Sequence, residues 1–204
     1  TDAQLAQSAI ARDARASAAD APLFADVRAN PTDANLEAGV AAFRAGGHDG
    51  IIAFGGGSAL DLGKLIAFMA GQSRPVWDFE DIGDRWTRAD ADAIAPVVAV
   101  PTTAGTGSEV GRAGVVTDSA SRTKRVIFHP RMMPRIVICD PALTVGMPGA
   151  VTAGTGLDAF AHCLEAYCAP AYHPLADGVA LEGLRLVKQN LPRAYRAPDA
   201  LEAR

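Results

Sequence analysis

The segment DGIIAFGGGSALDLGK, residues 49–64, constrains the fold most, because an apolar strand runs directly into three glycines and then into a helix. Glycines let a backbone approach a ligand closely, and the free N–H groups of a helix N-terminus favour an anion. A second apolar segment, PVVAVPTT at 96–103, also ends in small and hydroxylated residues. Ligands in open α/β sheets bind at the carboxyl ends of strands. The two segments together predict two ligand-binding loops that face one cleft.

The glycine turn has two interpretations. Gly55, Gly56, Gly57 and Ser58 can cradle a pyrophosphate, or they can form a plain strand-to-helix turn. The turn differs from the G-x-G-x-x-G fingerprint, because Leu60 stands where the third glycine belongs. Taken alone, the segment leaves both interpretations open.

Two charged residues follow the glycines early in the same helix. Asp61 can cap the helix or line the cleft, and Lys64 can pair with Asp61 or attract phosphate. The sequence favours neither the structural nor the functional role for this pair.

Hydrophobic periodicity and turn residues predict the other elements. Thr32 or Asp33 is expected to cap a helix that ends at the Gly46-Gly47 pair. Helices are expected at 2–19, 33–45, 59–69, 150–168 and 174–191, and strands within 22–27, 49–58, 96–103, 114–118, 124–128 and 135–141. The strands at 114–118 and 124–128 are expected to form an antiparallel pair.

The hydrophobic pattern of the sequence changes after Pro148: strand patterns stop and helical patterns remain. Strands that alternate with helices are typical of an open α/β sheet, and the late helices indicate the start of a separate helical domain. We therefore predict a Rossmann-like α/β domain at 1–148 and the beginning of an all-helical domain at 149–204.

Composition narrows the classes of partner. The net charge of −4 gives no reason to expect nucleic acid or an anionic membrane as a partner. No apolar run approaches the roughly 20 residues that a bilayer-spanning helix needs. The three cysteines are odd in number and lack metal-binding spacing, which suits free thiols in a reducing, cytoplasmic setting.

The segment LDAFAHCLEAY, residues 157–167, places Asp158 and His162 four residues apart in a predicted helix. Residues i and i+4 lie on one face of a helix. The pair can be a hydrogen-bonded surface contact, or it can be half of a metal site, because imidazole and carboxylate suit Fe(II), Zn(II) or Mn(II). Two ligands are too few for a catalytic metal, which normally takes at least three protein ligands.

Four segments, in this order and spacing, resemble the iron-dependent (group III) alcohol dehydrogenase family. They are GGGSALDLGK, PTTAGTGSE, DPALTVGMP and TGLDAFAHCLEAY, and the resemblance covers essentially the whole chain. It implies an N-terminal domain that binds NAD, a helical C-terminal domain, and a metal and substrate in the cleft between them. The implied metal is Fe(II), with Zn(II) as the alternative, and the implied substrate is a small alcohol or aldehyde.

The family's motifs can be carried over to matching positions. The resemblance places Asp2 at the adenosine ribose, Asn30 near the cofactor, Lys124 at a cofactor ribose and Leu143 near the nicotinamide. It assigns the pyrophosphate to Gly55, Gly56, Gly57 and Ser58, the lining of the cofactor cleft to Thr102, Thr103, Thr106 and Ser108, and the first two of four metal ligands to Asp158 and His162.

The resemblance also implies that a first strand precedes Thr1 and that two further metal-binding histidines follow Arg204. The expected protein is therefore an NAD-dependent alcohol dehydrogenase that forms a homo-oligomer, of which this chain alone is inactive. Three alternatives stay open at this point: a maleylacetate reductase, a glycerol dehydrogenase-like relative, and a nucleotide-binding module without catalysis.

Overall fold

The computed structural model describes residues 1–18 and 21–204, and these pack as two compact units. The first unit is Thr1–Pro101 with Ser108–Cys139, and the second is Thr102–Gly107 with Asp140–Arg204. The helices are α1 (Ala9–Ser17), α2 (Asp33–Ala45), α3 (Gly57–Met69), α4 (Gly149–Tyr167) and α5 (Pro174–Arg196); the strands are β1 (Ile51–Gly55), β2 (Val97–Pro101), β3 (Ala113–Asp118), β4 (Thr123–Phe128) and β5 (Ile136–Val137). Short 3-10 helices lie at Leu5–Gln7, Val76–Phe79, Arg85–Arg88, Ser108–Val110, Pro130–Met132, Pro141–Thr144 and Leu201–Ala203.

A parallel sheet with the order β1-β2-β5 organises the first unit. Its register pairs Gly55 with Pro101, so β1 and β2 end side by side. The segments that leave these two strands therefore start from the same edge of the sheet. The predicted α/β open sheet with parallel strands, followed by helices, is confirmed.

The core of the first unit is built around α3. Leu62, Leu65 and Phe68 are fully buried, and Val116 and Ile127 of the hairpin β3–β4 pack in the same cluster. Most of α3 is buried on every side, which is typical of a helix that lies inside a core. This burial fixes the N-terminus of α3, which follows the glycine turn.

Side-chain caps decide where the early helices begin. The Thr32 hydroxyl accepts the Asn35 N–H, and the Asn35 side chain accepts the Thr32 N–H, which together form a capping box on α2. The Ser8 hydroxyl accepts the Ala11 N–H and caps α1, so the single helix predicted over 2–19 is wrong. It is divided into the Leu5–Gln7 turn and α1, and Ala19 lies outside the described residues.

Two predicted strands are much shorter than expected. Only Val27 of the segment 22–27 forms a bridge, a parallel pair with Asp2, because no longer strand runs beside it in the described part of the chain. The strand predicted within 135–141 is reduced to β5, although Arg135 and Ile138 also donate N–H bonds to β2. Proline has no backbone N–H, so Pro141 cannot continue the ladder.

The second unit contains a pair of antiparallel helices. A side chain added at Gly156 of α4 would meet Leu191 of α5, and one added at Gly183 of α5 would meet Cys163 of α4. The earlier residue of α4 thus meets the later residue of α5, and the later residue of α4 meets the earlier residue of α5. The two helices therefore run antiparallel. The helix predicted to end at residue 191 continues through Pro192 to Arg196. No helix in the described residues combines the length and the apolar character needed to cross a membrane.

His129 gives the first unit a pH-sensitive element. The imidazole is 4% exposed, lies near the rings of Phe68 and Trp86, and accepts the Arg131 N–H at Nδ1. Burial lowers the pKa of His129 below its ordinary value, and the positive charge of Arg131 lowers it further. As the pH falls, the unfolded chain therefore binds a proton at this site before the folded protein does.

We predict that the contribution of His129 to stability is complete above about pH 6.5 and declines below it, towards the lower pKa of the folded protein. In the variant His129→Asn, the amide oxygen can still accept the Arg131 N–H but the side chain does not titrate. Urea unfolding at about pH 7.5 and about pH 5.5 should therefore show a smaller loss of stability for the variant. Equal losses in both proteins would contradict the prediction.

Candidate functional site

The glycine turn presents an open helix N-terminus. Gly55 ends β1 with φ 143°, and a side chain there would approach Cβ of Ala59 to 2.8 Å, so the position requires glycine. Gly56 is the N-cap of α3, and within the described residues no side chain caps this helix. The first N–H groups of α3 therefore keep their capacity to bind an anion. This geometry is compatible with the predicted pyrophosphate loop at Gly55–Ser58.

The segment that begins the chain lies against this turn. A side chain added at Gly55 would come within 3.5 Å of Leu5 and 3.7 Å of the Thr1 hydroxyl. The Asp2 carboxylate accepts the N–H groups of Gln4 and Leu5, at 3.0 and 2.8 Å, through Oδ1. Oδ2 takes part in neither bond. Asp2 is thus fixed close to the glycine turn, with one carboxylate oxygen that these bonds do not use.

Asn30 and Lys124 come to the same part of the first unit. Asn30 has φ 54° and precedes Pro31, whose carbonyl accepts the Thr117 N–H at 2.7 Å. Thr117 is paired with Lys124 across the hairpin β3–β4. Both Asn30 and Lys124 are exposed. Their roles at the cofactor stay predictions.

Asp61, which is half-buried, and Lys64, which is buried, form a pair on α3 that resolves the choice left open by the sequence. The Lys64 ammonium is 3.4 Å from Oδ1 of Asp61 and also donates to backbone carbonyls of the segment 108–113. The Lys64 side chain is 1% exposed. Burial lowers the pKa of Lys64, and the negative charge of Asp61 opposes this change. Lys64 therefore pairs with Asp61 and is not presented to a phosphate in solvent.

The loop Thr102–Gly107 of the second unit lies close to α4. A side chain added at Gly105 would approach the carbonyl oxygen of Thr155 to 2.6 Å. This is a steric clash, and the helix backbone cannot move aside to remove it. The carbonyl of Gly105 lies 3.3 Å from Nδ1 of His162. Glycine at position 105 therefore allows the loop to bond the histidine.

This contact determines which nitrogen of His162 carries the proton. A carbonyl oxygen can only accept, so Nδ1 donates to Gly105 and Nε2 of the neutral ring keeps its lone pair. Histidines that bind metals usually donate their other N–H to a carbonyl or carboxylate in this way. The geometry thus prepares Nε2 of His162 as a ligand.

Asp158 stands beside this nitrogen, and the two groups fit a divalent metal. Oδ1 of Asp158 is 4.0 Å from Nε2 of His162, which is too long for a hydrogen bond between them. Both side chains are about half exposed. In residues 1–18 and 21–204, no group of three or more His, Cys, Asp or Glu residues is placed to hold a metal ion. The chain therefore offers two groups suited to bind a metal from one turn of α4.

The predicted site residues are distributed over both units. The first unit contains Asp2, Asn30, Gly55, Gly56, Gly57, Ser58, Ser108 and Lys124, and the second contains Thr102, Thr103, Thr106, Leu143, Asp158 and His162. Thr102 and Ser108 are buried, Thr103 and Leu143 are half-buried, and Thr106 is exposed. Sequence reasoning missed Gly105, because a glycine in a loop does not identify the helix it will touch.

The chain matches the sequence profiles of one known protein family. A family profile described as iron-containing alcohol dehydrogenase matches residues 1–141, and the profile of the family's C-terminal part matches residues 152–204. The 4-hydroxybutyrate dehydrogenase of Cupriavidus necator is 42% identical over 165 residues, which are 80% of this chain and 42% of that protein.

Two solved structures are similar over nearly the whole chain. A 1,3-propanediol oxidoreductase superposes with a TM-score of 0.91 at 35% identity, covering 99% of this chain and 53% of that one. A sulfoacetaldehyde reductase from Bifidobacterium kashiwanohense, in complex with NAD+, superposes with a TM-score of 0.86 at 30% identity, covering 95% and 51%. The chain thus spans about half the length of the relatives it matches.

The glycine turn provides a direct test of cofactor binding. Gly56 has φ −76°, which other residues adopt, so Gly56→Val should fold normally while its side chain obstructs the approach of a pyrophosphate. We predict that the dissociation constant for NADH, measured by fluorescence on the protein expressed from its complete gene, rises at least about tenfold. Thermal stability should stay close to that of the wild type.

Gly55→Ala is the matched control, because it strains the positive φ and contacts Ala59, and should therefore lower thermal stability itself. Unchanged NADH affinity in Gly56→Val would support the plain-turn interpretation.

Proposed function

The chain belongs to the iron-containing alcohol dehydrogenase family, and we propose that its complete protein is an NAD-dependent oxidoreductase that interconverts a small alcohol and its aldehyde with the aid of Fe(II). The observation that carries this proposal is the prepared metal pair, in which the Gly105 carbonyl holds His162 with Nε2 next to Asp158. Zn(II) is the alternative metal, since carboxylate and imidazole suit both ions.

Asp158 and His162 are the residues of this chain that would hold the metal. A bound divalent ion acts as a Lewis acid and stabilises negative charge on the substrate oxygen. Asp158 provides an anionic oxygen, and His162 provides a neutral nitrogen whose ring orientation is fixed by its bond to Gly105. Because two ligands leave the site incomplete, the proposal assigns the remaining ligands and the proton acceptor to parts of the complete protein outside residues 1–204.

The glycine turn supports the choice of a dinucleotide cofactor. The uncapped N-terminus of α3 favours the pyrophosphate, and the nearby Asp2 carboxylate is suited to accept hydrogen bonds from ribose hydroxyls. The same negative charge repels a 2′-phosphate, so NAD is proposed over NADP. A bound nicotinamide would accept or supply the hydride, and the protein would contribute position and electrostatics.

The rival functions differ in what they require of the metal pair. A nucleotide-binding module without catalysis would bind NADH but show no turnover with any alcohol. A maleylacetate reductase would not depend on the full set of metal ligands, whereas a glycerol dehydrogenase-like relative would use Zn(II). Turnover by the complete protein and its metal dependence therefore separate the first two rivals from the proposal, and a requirement for Zn(II) in place of Fe(II) would favour the glycerol dehydrogenase-like relative.

Two further features of the complete protein are proposed from the sequence. These are assembly as a homo-oligomer and a cytoplasmic location, the latter from the odd number of cysteines without metal-binding spacing. Light scattering of the purified protein tests the first, and fractionation of the source cells tests the second.

The metal pair yields a prediction in which cofactor and metal binding separate. In the complete protein, His162→Ala should lose bound metal and turnover, because a single carboxylate remains of the pair. NADH affinity should stay within about twofold of the wild type, because the glycine turn and Asp2 are unchanged. Elemental analysis and NADH fluorescence measure the two properties on one preparation.

His173→Asn is the matched control for this experiment. His173 is an exposed histidine that caps α5 through Nδ1, and asparagine keeps a capping oxygen. The control should retain both metal and turnover. Stoichiometric metal with normal turnover in His162→Ala would reduce the pair to a surface contact.

Asp2 predicts the preference between the two nicotinamide cofactors. Asp2→Asn keeps an oxygen for the N–H groups of Gln4 and Leu5 but removes the negative charge. The ratio of kcat/KM for NADH to kcat/KM for NADPH should therefore fall, by about tenfold for a direct phosphate contact. A wild-type protein that already uses both cofactors equally would overturn the assignment of Asp2.

A further inference from the structure

We infer that Lys64 is a positioning residue, which holds the backbone of residues 108–113 on α3 so that Ser108 stays beside the first turns of this helix, next along the chain from the glycine turn. This inference rests on the proposed binding of NAD at that turn. It assigns a cofactor-related task to a side chain that is only 1% exposed.

The Lys64 ammonium donates its backbone hydrogen bonds to one short segment, residues 108–113. It donates to the carbonyl of Ser108 at 2.9 Å and to that of Ala113 at 2.5 Å, with the carbonyl of Gly111 at 3.5 Å. These carbonyls come from a 3-10 turn, from the residue after it and from the start of β3. One cation therefore fixes the path of a segment with little regular structure of its own.

Asp61 completes the attachment from the same face of α3. Its Oδ1 accepts the Ser108 hydroxyl at 2.6 Å, and its Oδ2 accepts the Val115 N–H at 3.1 Å. Asp61 is four residues after Gly57, where α3 begins, which is about 6 Å along the helix. The bond from Asp61 thus ties Ser108, the residue that follows the loop Thr102–Gly107, to the first turns of the glycine-turn helix.

A gain in folding stability does not by itself explain why a charged lysine is buried at position 64. Desolvation makes a buried ammonium costly, and a well-packed apolar residue of similar volume is often as stabilising as a buried ion pair. An apolar side chain has no donor, so it cannot hold the carbonyls of Ser108, Gly111 and Ala113 in one conformation. The best-attested use of such buried polar groups is to specify one arrangement of the chain over others. For residues 108–113 that arrangement determines where Ser108 lies relative to the N-terminus of α3.

The test uses two substitutions of equal length in the complete protein. Lys64→Met fills the space without donors, whereas Lys64→Gln keeps an amide that can donate to the segment. NADH affinity is measured by fluorescence, kcat and KM for NAD by steady-state kinetics, and stability by thermal unfolding. Phe68→Leu is the matched control, because it weakens the same helix core but leaves Lys64 and its partners intact.

Lys64→Met should raise the dissociation constant for NADH and the KM for NAD by at least about tenfold, while kcat at saturating NAD falls less. Lys64→Gln should recover a substantial part of the affinity, and Phe68→Leu should lower the unfolding temperature with NADH affinity within about twofold of the wild type. If Lys64→Met does not fold, Asp61→Asn, which weakens the bonds to Ser108 and Val115, should raise the same constant severalfold.

Two results are decisive against the inference. If wild type binds NADH and Lys64→Met binds it equally well, or if the Met and Gln variants lose the same affinity, Lys64 serves packing alone. If the variant does not fold and Asp61→Asn binds NADH like the wild type, the inference also fails. A wild type without NADH binding instead overturns the proposed function, so the two failures are distinguishable.

Discussion

The parallel pairing of β1 with β2 is the constraint on which the rest of the first unit depends. The register places Gly55 opposite Pro101, so the chain leaves both strands at one edge of the sheet. A shift by one residue would exchange the faces of every side chain in β2 and would offset the ends of the two strands. The buried helix α3 follows directly from this edge, and its N-terminus becomes the natural place for an anionic ligand.

Burial of a charge is the second organising feature. Lys64 lies in the most buried helix of the first unit, where an unpaired ammonium would be very costly. Its partners come almost entirely from the backbone of one segment, with Asp61 as the counter-charge. The segment and the helix therefore stabilise each other, since the buried ammonium would lose most of its hydrogen-bond acceptors without these carbonyls.

In the second unit, Gly105 determines which ring nitrogen of His162 carries the proton. Helical spacing brings Asp158 and His162 onto one face, but it does not determine which ring nitrogen of His162 is free. The Gly105 carbonyl does so by accepting from Nδ1, and only glycine permits the loop to approach Thr155 closely enough for that bond. Which nitrogen of His162 keeps its lone pair thus depends on a residue 57 positions away in the sequence.

The sequence by itself determined the local features: the glycine turn after an apolar strand, a cap of α2 at Thr32 or Asp33, the antiparallel hairpin, and the i, i+4 spacing of Asp158 and His162. These depend on backbone preference and periodicity, which neighbouring residues specify. The sequence also overestimated the strand at 22–27, because a strand exists only where a partner supplies its hydrogen bonds. Only the tertiary structure decided that Lys64 binds carbonyls of residues 108–113 and that Gly105 orients His162, because these contacts join residues 44 to 57 positions apart whose proximity no local pattern encodes.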